Sequence, residues 1–136
     1  MDEGGRLRWL LCTLTSTFDA VMVQSFDPNF LEECRRISAD IVLGLLIWKH
    51  PSRQRLTNLL QRISPQIIGW RRHKLQQQTL QFLQEKDVKV WVWFSQDDKA
   101  NDPMLALQSL QFGIDGLITD HPGDVRAVVD WYNKSQ

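Results

Sequence analysis

Short apolar runs of strand length alternate along this chain with segments whose apolar residues recur every three or four positions. The runs are Ala20–Val23, Ile41–Ile47, Gln66–Trp70, Val88–Phe94 and Leu117–Ile118. Each is too short for a helix, and their β-branched and aromatic content suits buried strands. Between them, Phe30, Leu31, Cys34 and Ile37 share one helical face, as do Leu56, Leu59, Leu60 and Ile63. Leu75, Phe82 and Leu83 mark a helix over residues 74–85. Met104, Leu107, Leu110 and Gln111 follow one helical row, and Val125, Val128, Val129 and Tyr132 another. Leu7, Leu10, Leu11 and Leu14 predict a leading helix over residues 6–16.

The punctuation agrees with these elements. Asp27-Pro28 and Asp102-Pro103 each supply a capping carboxylate followed by a proline at the first helical position. His50-Pro51 and Ser64-Pro65 break the pattern, and Gly113 stands where a left-handed residue would end a helix. Strands alternating with helices imply a parallel sheet, either doubly wound or part of a (β/α)8 barrel. No glycine-rich loop follows any run, so the dinucleotide and phosphate-loop fingerprints of the first option are missing. The expectation is an α/β fold of parallel βα repeats in a single domain over residues 1–136.

Composition narrows the function. Sixteen basic and sixteen acidic residues cancel, which argues against nucleic acid as a main partner. Cys12 and Cys34 lie far apart in helix patterns, as buried free thiols of a reducing compartment would. The run Trp9–Cys12, preceded by Asp2 and Glu3, is too short and too acidic for a leader or a membrane span. A soluble, cytoplasmic protein is the expectation.

Four blocks carry a further signal: Gln24-Ser25-Phe26-Asp27-Pro28, Leu43-Gly44-Leu45-Leu46, Val90-Trp91-Val92-Trp93, and Gly113-Ile114-Asp115-Gly116-Leu117-Ile118-Thr119-Asp120-His121-Pro122. Their order and spacing resemble the glycerophosphodiester phosphodiesterase family from about Ala20 to the end of the chain. The closing block is the most specific. The resemblance implies a TIM (β/α)8 barrel, of which these are the last five strands, and therefore a partial barrel. A complete one takes about 250 residues.

The family's activity, as the resemblance implies it, is metal-assisted hydrolysis of glycerophosphodiesters to glycerol 3-phosphate and an alcohol. Calcium or magnesium is held by carboxylates, and two histidines do the acid–base work. Those groups come from the family's N-terminal half. Here His50, His73 and His121 precede proline, lysine and proline, so no histidine–arginine pair exists. None of Glu3, Glu32, Glu33 and Glu85 ends a strand run. No metal and no catalytic residue are therefore assigned to this chain.

By resemblance, Ser25, Phe26, Trp93 and Asp120 would line the substrate cleft. Each has a plainer alternative. Ser25 could cap the next helix beside a core Phe26. Trp91 and Trp93 share one strand face; under helices they would be core, and on the other face Trp93 could meet the glycerol moiety. Asp120 is more readily a cap than a ligand, and His121 should be exposed. Phe94 and Gln96 replace the family's threonine and asparagine after that tryptophan. Arg71-Arg72-His73-Lys74 could meet a phosphate but reads first as a solvated helix start. Asp97-Asp98 reads as a hydrophilic turn. Three functions follow: a phosphodiesterase half acting on a small glycerophosphodiester once completed by an N-terminal half, a self-associating or partner-binding half-barrel, or a fragment without a role of its own.

Overall fold

A computed structural model describes residues 21–94 and 102–136. The leading helix over residues 6–16, Cys12, Gln96 and Asp97-Asp98 lie outside the described residues. Five parallel strands alternate with helices: β1 (Met22–Ser25), α1 (Pro28–Ile37), β2 (Val42–Ile47), α2 (Arg53–Ile63), β3 (Ile67–Arg71), α3 (Gln77–Glu85), β4 (Lys89–Trp93), α4 (Pro103–Phe112), β5 (Gly116–Ile118) and α5 (Pro122–Lys134). The strands follow one another through a single sheet in the order β1-β2-β3-β4-β5. A doubly wound sheet reverses direction at a switch point, whereas barrel strands run on in chain order. This order is the barrel's.

The chain divides into two compact units, one of residues up to Leu46 with Pro51–Ile67, the other of Ile47–His50 with Ile68–Gln136. In the first, β1 and β2 pair in parallel with Met22 opposite Val42 and Ser25 opposite Leu45. Leu31 and Cys34 of α1, Leu43 and Leu45 of β2, and Leu56, Leu59 and Ile63 of α2 are buried. Cys34 is a free thiol in this core. Ile37, in the last turn of α1, is exposed and does not share the buried face expected of it.

The caps form as the sequence sets them. The Asp27 carboxylate accepts from the Asn29 N–H at 3.0 Å, and the Ser52 hydroxyl accepts from the Arg55 N–H at 3.1 Å. Ser64 ends α2 in the left-handed region at φ 49°.

Arg35 joins the ends of both helices in this unit. Its guanidinium donates to the carbonyls of Ile63 (2.9 Å), Ala39 (2.9 Å), Ile41 (2.8 Å), Ser64 (3.0 Å) and Ser38 (3.3 Å), and to Gln66 Oε1 (3.0 Å). The first, fourth and fifth of these oxygens are carbonyls left open where a helix stops. Partial burial lowers the Arg35 pKa from its ordinary value. Gln66, just before β3, grips Leu43 of β2: its side-chain oxygen accepts from Leu43 N–H at 2.9 Å, and its own backbone N–H donates to Leu43 O at 3.1 Å.

In the second unit Ile68, Trp70, Leu80, Leu83, Val90 and Val92 are fully buried. Residues 72–74 form one turn of 3-10 helix, and α3 begins only at Gln77, later than the residue 74 the apolar spacing suggests. Asp102 caps α4 by accepting from the Met104 N–H at 2.9 Å. The buried side of α4 differs from the expected row. Ala106, Ser109 and Leu110 face inward at i, i+3 and i+4, while Met104 is exposed. Two small residues let that helix approach closely, which a search for large apolar residues overlooks. Gly113 closes α4 at φ 105°, and its carbonyl accepts from Gln84 Nε2 at 3.2 Å.

Candidate functional site

Strand parity fixes which side chains reach the face that carries chemistry. In β4, Val90 and Val92 are fully buried while Trp91 and Trp93 on the opposite face are only half-buried. The two tryptophans are therefore not the core pair of the helix-covered side. Trp91 lies over Gly116, its partner in the parallel β4–β5 register, so closely that a Cβ on Gly116 would stand 2.6 Å from the indole. Trp93, at the carboxyl end of β4, stacks on Trp48 with centroids 5.2 Å apart and planes 26° from parallel. Trp48 is the residue directly after β2. The Arg71 guanidinium, at the end of β3, lies 5.2 Å from the centre of the same Trp48 ring.

Three consecutive strand ends thus bring two indoles and one guanidinium together. Such an arrangement offers an apolar wall beside a fixed positive charge, suited to a small ligand with an apolar face and an anionic group. His50 stands nearby in sequence but is engaged elsewhere. Its Nε2 lies 3.1 Å from the buried Thr79 hydroxyl, and its ring meets Trp70 edge-on at 5.3 Å. Arg72 turns away from the cluster. Its Nε donates to Ser109 Oγ at 3.2 Å, its guanidinium covers Phe112 at 4.4 Å, and burial lowers its pKa.

The residues singled out from the sequence fall in different units. Ser25 and Phe26 belong to the first, Trp93 and Asp120 to the second. The Ser25 hydroxyl accepts from the Asp27 N–H at 3.0 Å, the turn bond expected of a serine entering a helix. Phe26 is 51% exposed and is not the core phenylalanine of the plainer alternative. Asp120 is exposed at the start of α5. The N-cap position of α5 is His121, whose side chain makes no capping bond, and just ahead of it the Thr119 hydroxyl accepts from the His121 N–H at 3.0 Å in a turn. His121 is exposed, as expected.

Trp48 was not singled out in the sequence and Arg71 was weighed only as part of a basic cluster, although a signal exists for each. Trp48 continues the alternation of Val42, Gly44 and Leu46 one step past the strand. Arg71 continues that of Ile67 and Gly69. Counting by twos to the strand ends finds both. Among the described residues no group of three or more His, Cys, Asp or Glu side chains is placed to hold a metal ion. The donor set that a calcium or magnesium ion requires is not present there, so no step through a metal is derived.

Comparison with known proteins places this geometry. The model of the glycerophosphoryl diester phosphodiesterase family matches residues 6–124. A glycerophosphodiester phosphodiesterase from Parabacteroides distasonis superposes with a TM-score of 0.71 at 16% identity, over 96% of this chain and 51% of its own. A phosphodiesterase from Oleispira antarctica, solved with its product sn-glycerol-3-phosphate, superposes with a TM-score of 0.68 at 19% identity, over 80% of this chain and 41% of its own. A family structure from Silicibacter pomeroyi gives 0.64 at 23% identity, over 79% and 37%. No curated protein matches the chain.

The fold is thus a set of parallel βα units equivalent to part of a phosphodiesterase TIM barrel. The chain belongs to the glycerophosphoryl diester phosphodiesterase family, and it spans about half or less of the length of the solved structures it matches.

Proposed function

We propose that residues 1–136 form one partial barrel domain that supplies the substrate-binding wall of a glycerophosphodiester phosphodiesterase and not its catalytic centre. Trp93 would pack against the glycerol moiety, and Ser25, Phe26 and Asp120 are, by the family resemblance, the further residues that would contact substrate. The complementary half would bring the metal carboxylates and the two histidines. Joined to it, the domain would take part in hydrolysing small glycerophosphodiesters to glycerol 3-phosphate and an alcohol, a step of lipid metabolism. The observation that carries this reading is Trp93 itself. It stands at a strand's carboxyl end, on the face opposite the buried Val90 and Val92, beside the ring that Arg71 covers. Active sites of such barrels gather at that end.

Titration calorimetry with sn-glycerol 3-phosphate tests it. The chain should bind the phosphate without turnover, and Trp93→Ala should lose most of that binding while the fold is retained. Equal affinity in wild type and Trp93→Ala would remove the tryptophan from the site.

A second reading, a non-catalytic half-barrel that associates with a copy of itself or a partner, draws on the strand order. β1 and β5 are the outer strands of the sheet, and an outer strand offers unpaired backbone groups to another chain. Sedimentation velocity should then show association that grows with concentration. A sharp monomeric boundary with a cooperative melt would weigh against both the association and the partial barrel.

A further inference from the structure

From Ile41 to Gln84 the chain has no aspartate or glutamate, yet seven lysines and arginines fall in that stretch. The balance of sixteen against sixteen therefore conceals a strongly cationic middle. Four of the seven, Lys49, Arg71, Arg72 and Lys74, lie in the two segments that end and follow β2 and β3. Arg72 is committed inward to Ser109 and Phe112. Lys49 and Lys74 are exposed, as is His73 between the two strand-end arginines and Lys74.

Two contacts bring these segments side by side: Arg71 over the Trp48 ring, and His50 edge-on to Trp70. Between the cations stands Trp48, 51% exposed although Trp93 and Arg71 both pack against its ring. An indole of this size normally folds inward. Here its neighbours brace it at the surface.

We infer that this surface docks on an anionic lipid bilayer, with Trp48 entering the headgroup layer and Lys49, Arg71 and Lys74 facing the lipid charges. An amphipathic ring flanked by lysine and arginine is the combination that settles at a membrane–water boundary. A run of cations that no acid interrupts along the sequence, as between Ile41 and Gln84, is what a negatively charged leaflet attracts. Nucleic acid fits less well. An indole on which Trp93 is already stacked leaves a base less ring surface to stack on. No helix among the described residues is long and apolar enough to cross a membrane, so the contact is with the bilayer's surface.

Co-sedimentation of the full 136-residue chain with vesicles tests this. Vesicles of phosphatidylcholine with phosphatidylserine should bind the chain, and phosphatidylcholine alone should not. Raising the salt should release it, because exposed charges are screened over about a Debye length. Replacing Lys49 and Lys74 by alanine should weaken binding about fivefold for each cation removed, whereas Lys134→Ala at the end of α5 should change nothing. Lipids brominated in their upper acyl chains should quench the protein's fluorescence, and Trp48→Ala should abolish most of that quenching. No binding to the anionic vesicles, quenching unchanged in Trp48→Ala, or duplex DNA bound more tightly than vesicles at equal salt would each overturn the inference. Vesicle binding that persists when glycerol 3-phosphate does not bind would reject the proposed function alone.

Discussion

Asp115 and Val90 hold each other twice: the Asp115 N–H donates to the Val90 carbonyl at 2.8 Å, and the Val90 N–H donates to Asp115 Oδ2 at 2.8 Å. The first bond begins the β4–β5 pairing, and the second extends it with a side chain where β5 has not yet started. The aspartate of the closing block thus fixes the register that puts Trp91 over Gly116 and Trp93 beside Ile118. In this structure its side chain positions the strand end.

Replacing Asp115 by alanine should therefore destabilise the chain by about 1–3 kcal/mol, the cost of leaving a partly buried N–H without its acceptor. Asp115→Asn keeps an oxygen in place and should lose less. Denaturant melts of the two variants check this, and equal melts for Asp115→Ala and wild type would show the bond to be dispensable.

Gly116 is bound to Trp91 by exclusion. A methyl group there would sit 2.6 Å from Cδ1 and 2.7 Å from Nε1 of the indole, so the ring must move or the strands must part. Overpacking of this kind costs about 1–3 kcal/mol. Gly116→Ala should lower the melting temperature and shift the tryptophan emission. Gly123→Ala, where nothing lies within 4 Å of the added carbon, serves as the control.

Arg35 gathers the carbonyls at the ends of α1 and α2 onto one planar fork. Lysine keeps the charge but cannot reach several acceptors in one plane. Arg35→Lys should thus recover only part of the stability lost in Arg35→Ala, for which about 2–4 kcal/mol is expected if two or more carbonyls lose their donor. Full recovery by lysine would show that charge alone matters. The comparison of the three melts decides between them.

The alternation of strand and helix was legible because each βα unit carries its own signals. The period changes from two to between three and four, a capping aspartate precedes a proline, and a glycine closes the helix before the last strand. The parallel order followed from that alternation. What the spacing missed has physical reasons. Met104 looked inward by size, but Ala106 and Ser109 take the buried side because α4 packs closely. The plainer alternative for Phe26 put it in the core, but it lies one residue past β1 and is exposed. The bonds of Arg35 and Gln66 left no signal in the sequence, since a side chain that meets distant backbone groups leaves no local period. Trp48 and Arg71 gave the faintest signals, one just past β2 and the other the last residue of β3, because their contact depends on neighbouring strands ending together.

Turnover by the isolated chain decides whether these residues hold a catalytic centre of their own. Incubated with glycerophosphocholine and calcium or magnesium, the 136-residue chain should release no glycerol 3-phosphate beyond the uncatalysed rate, because the metal carboxylates and the histidine pair are expected from the complementary half. Metal-dependent release that disappears in Asp120→Ala would contradict the account and place a catalytic centre within these residues.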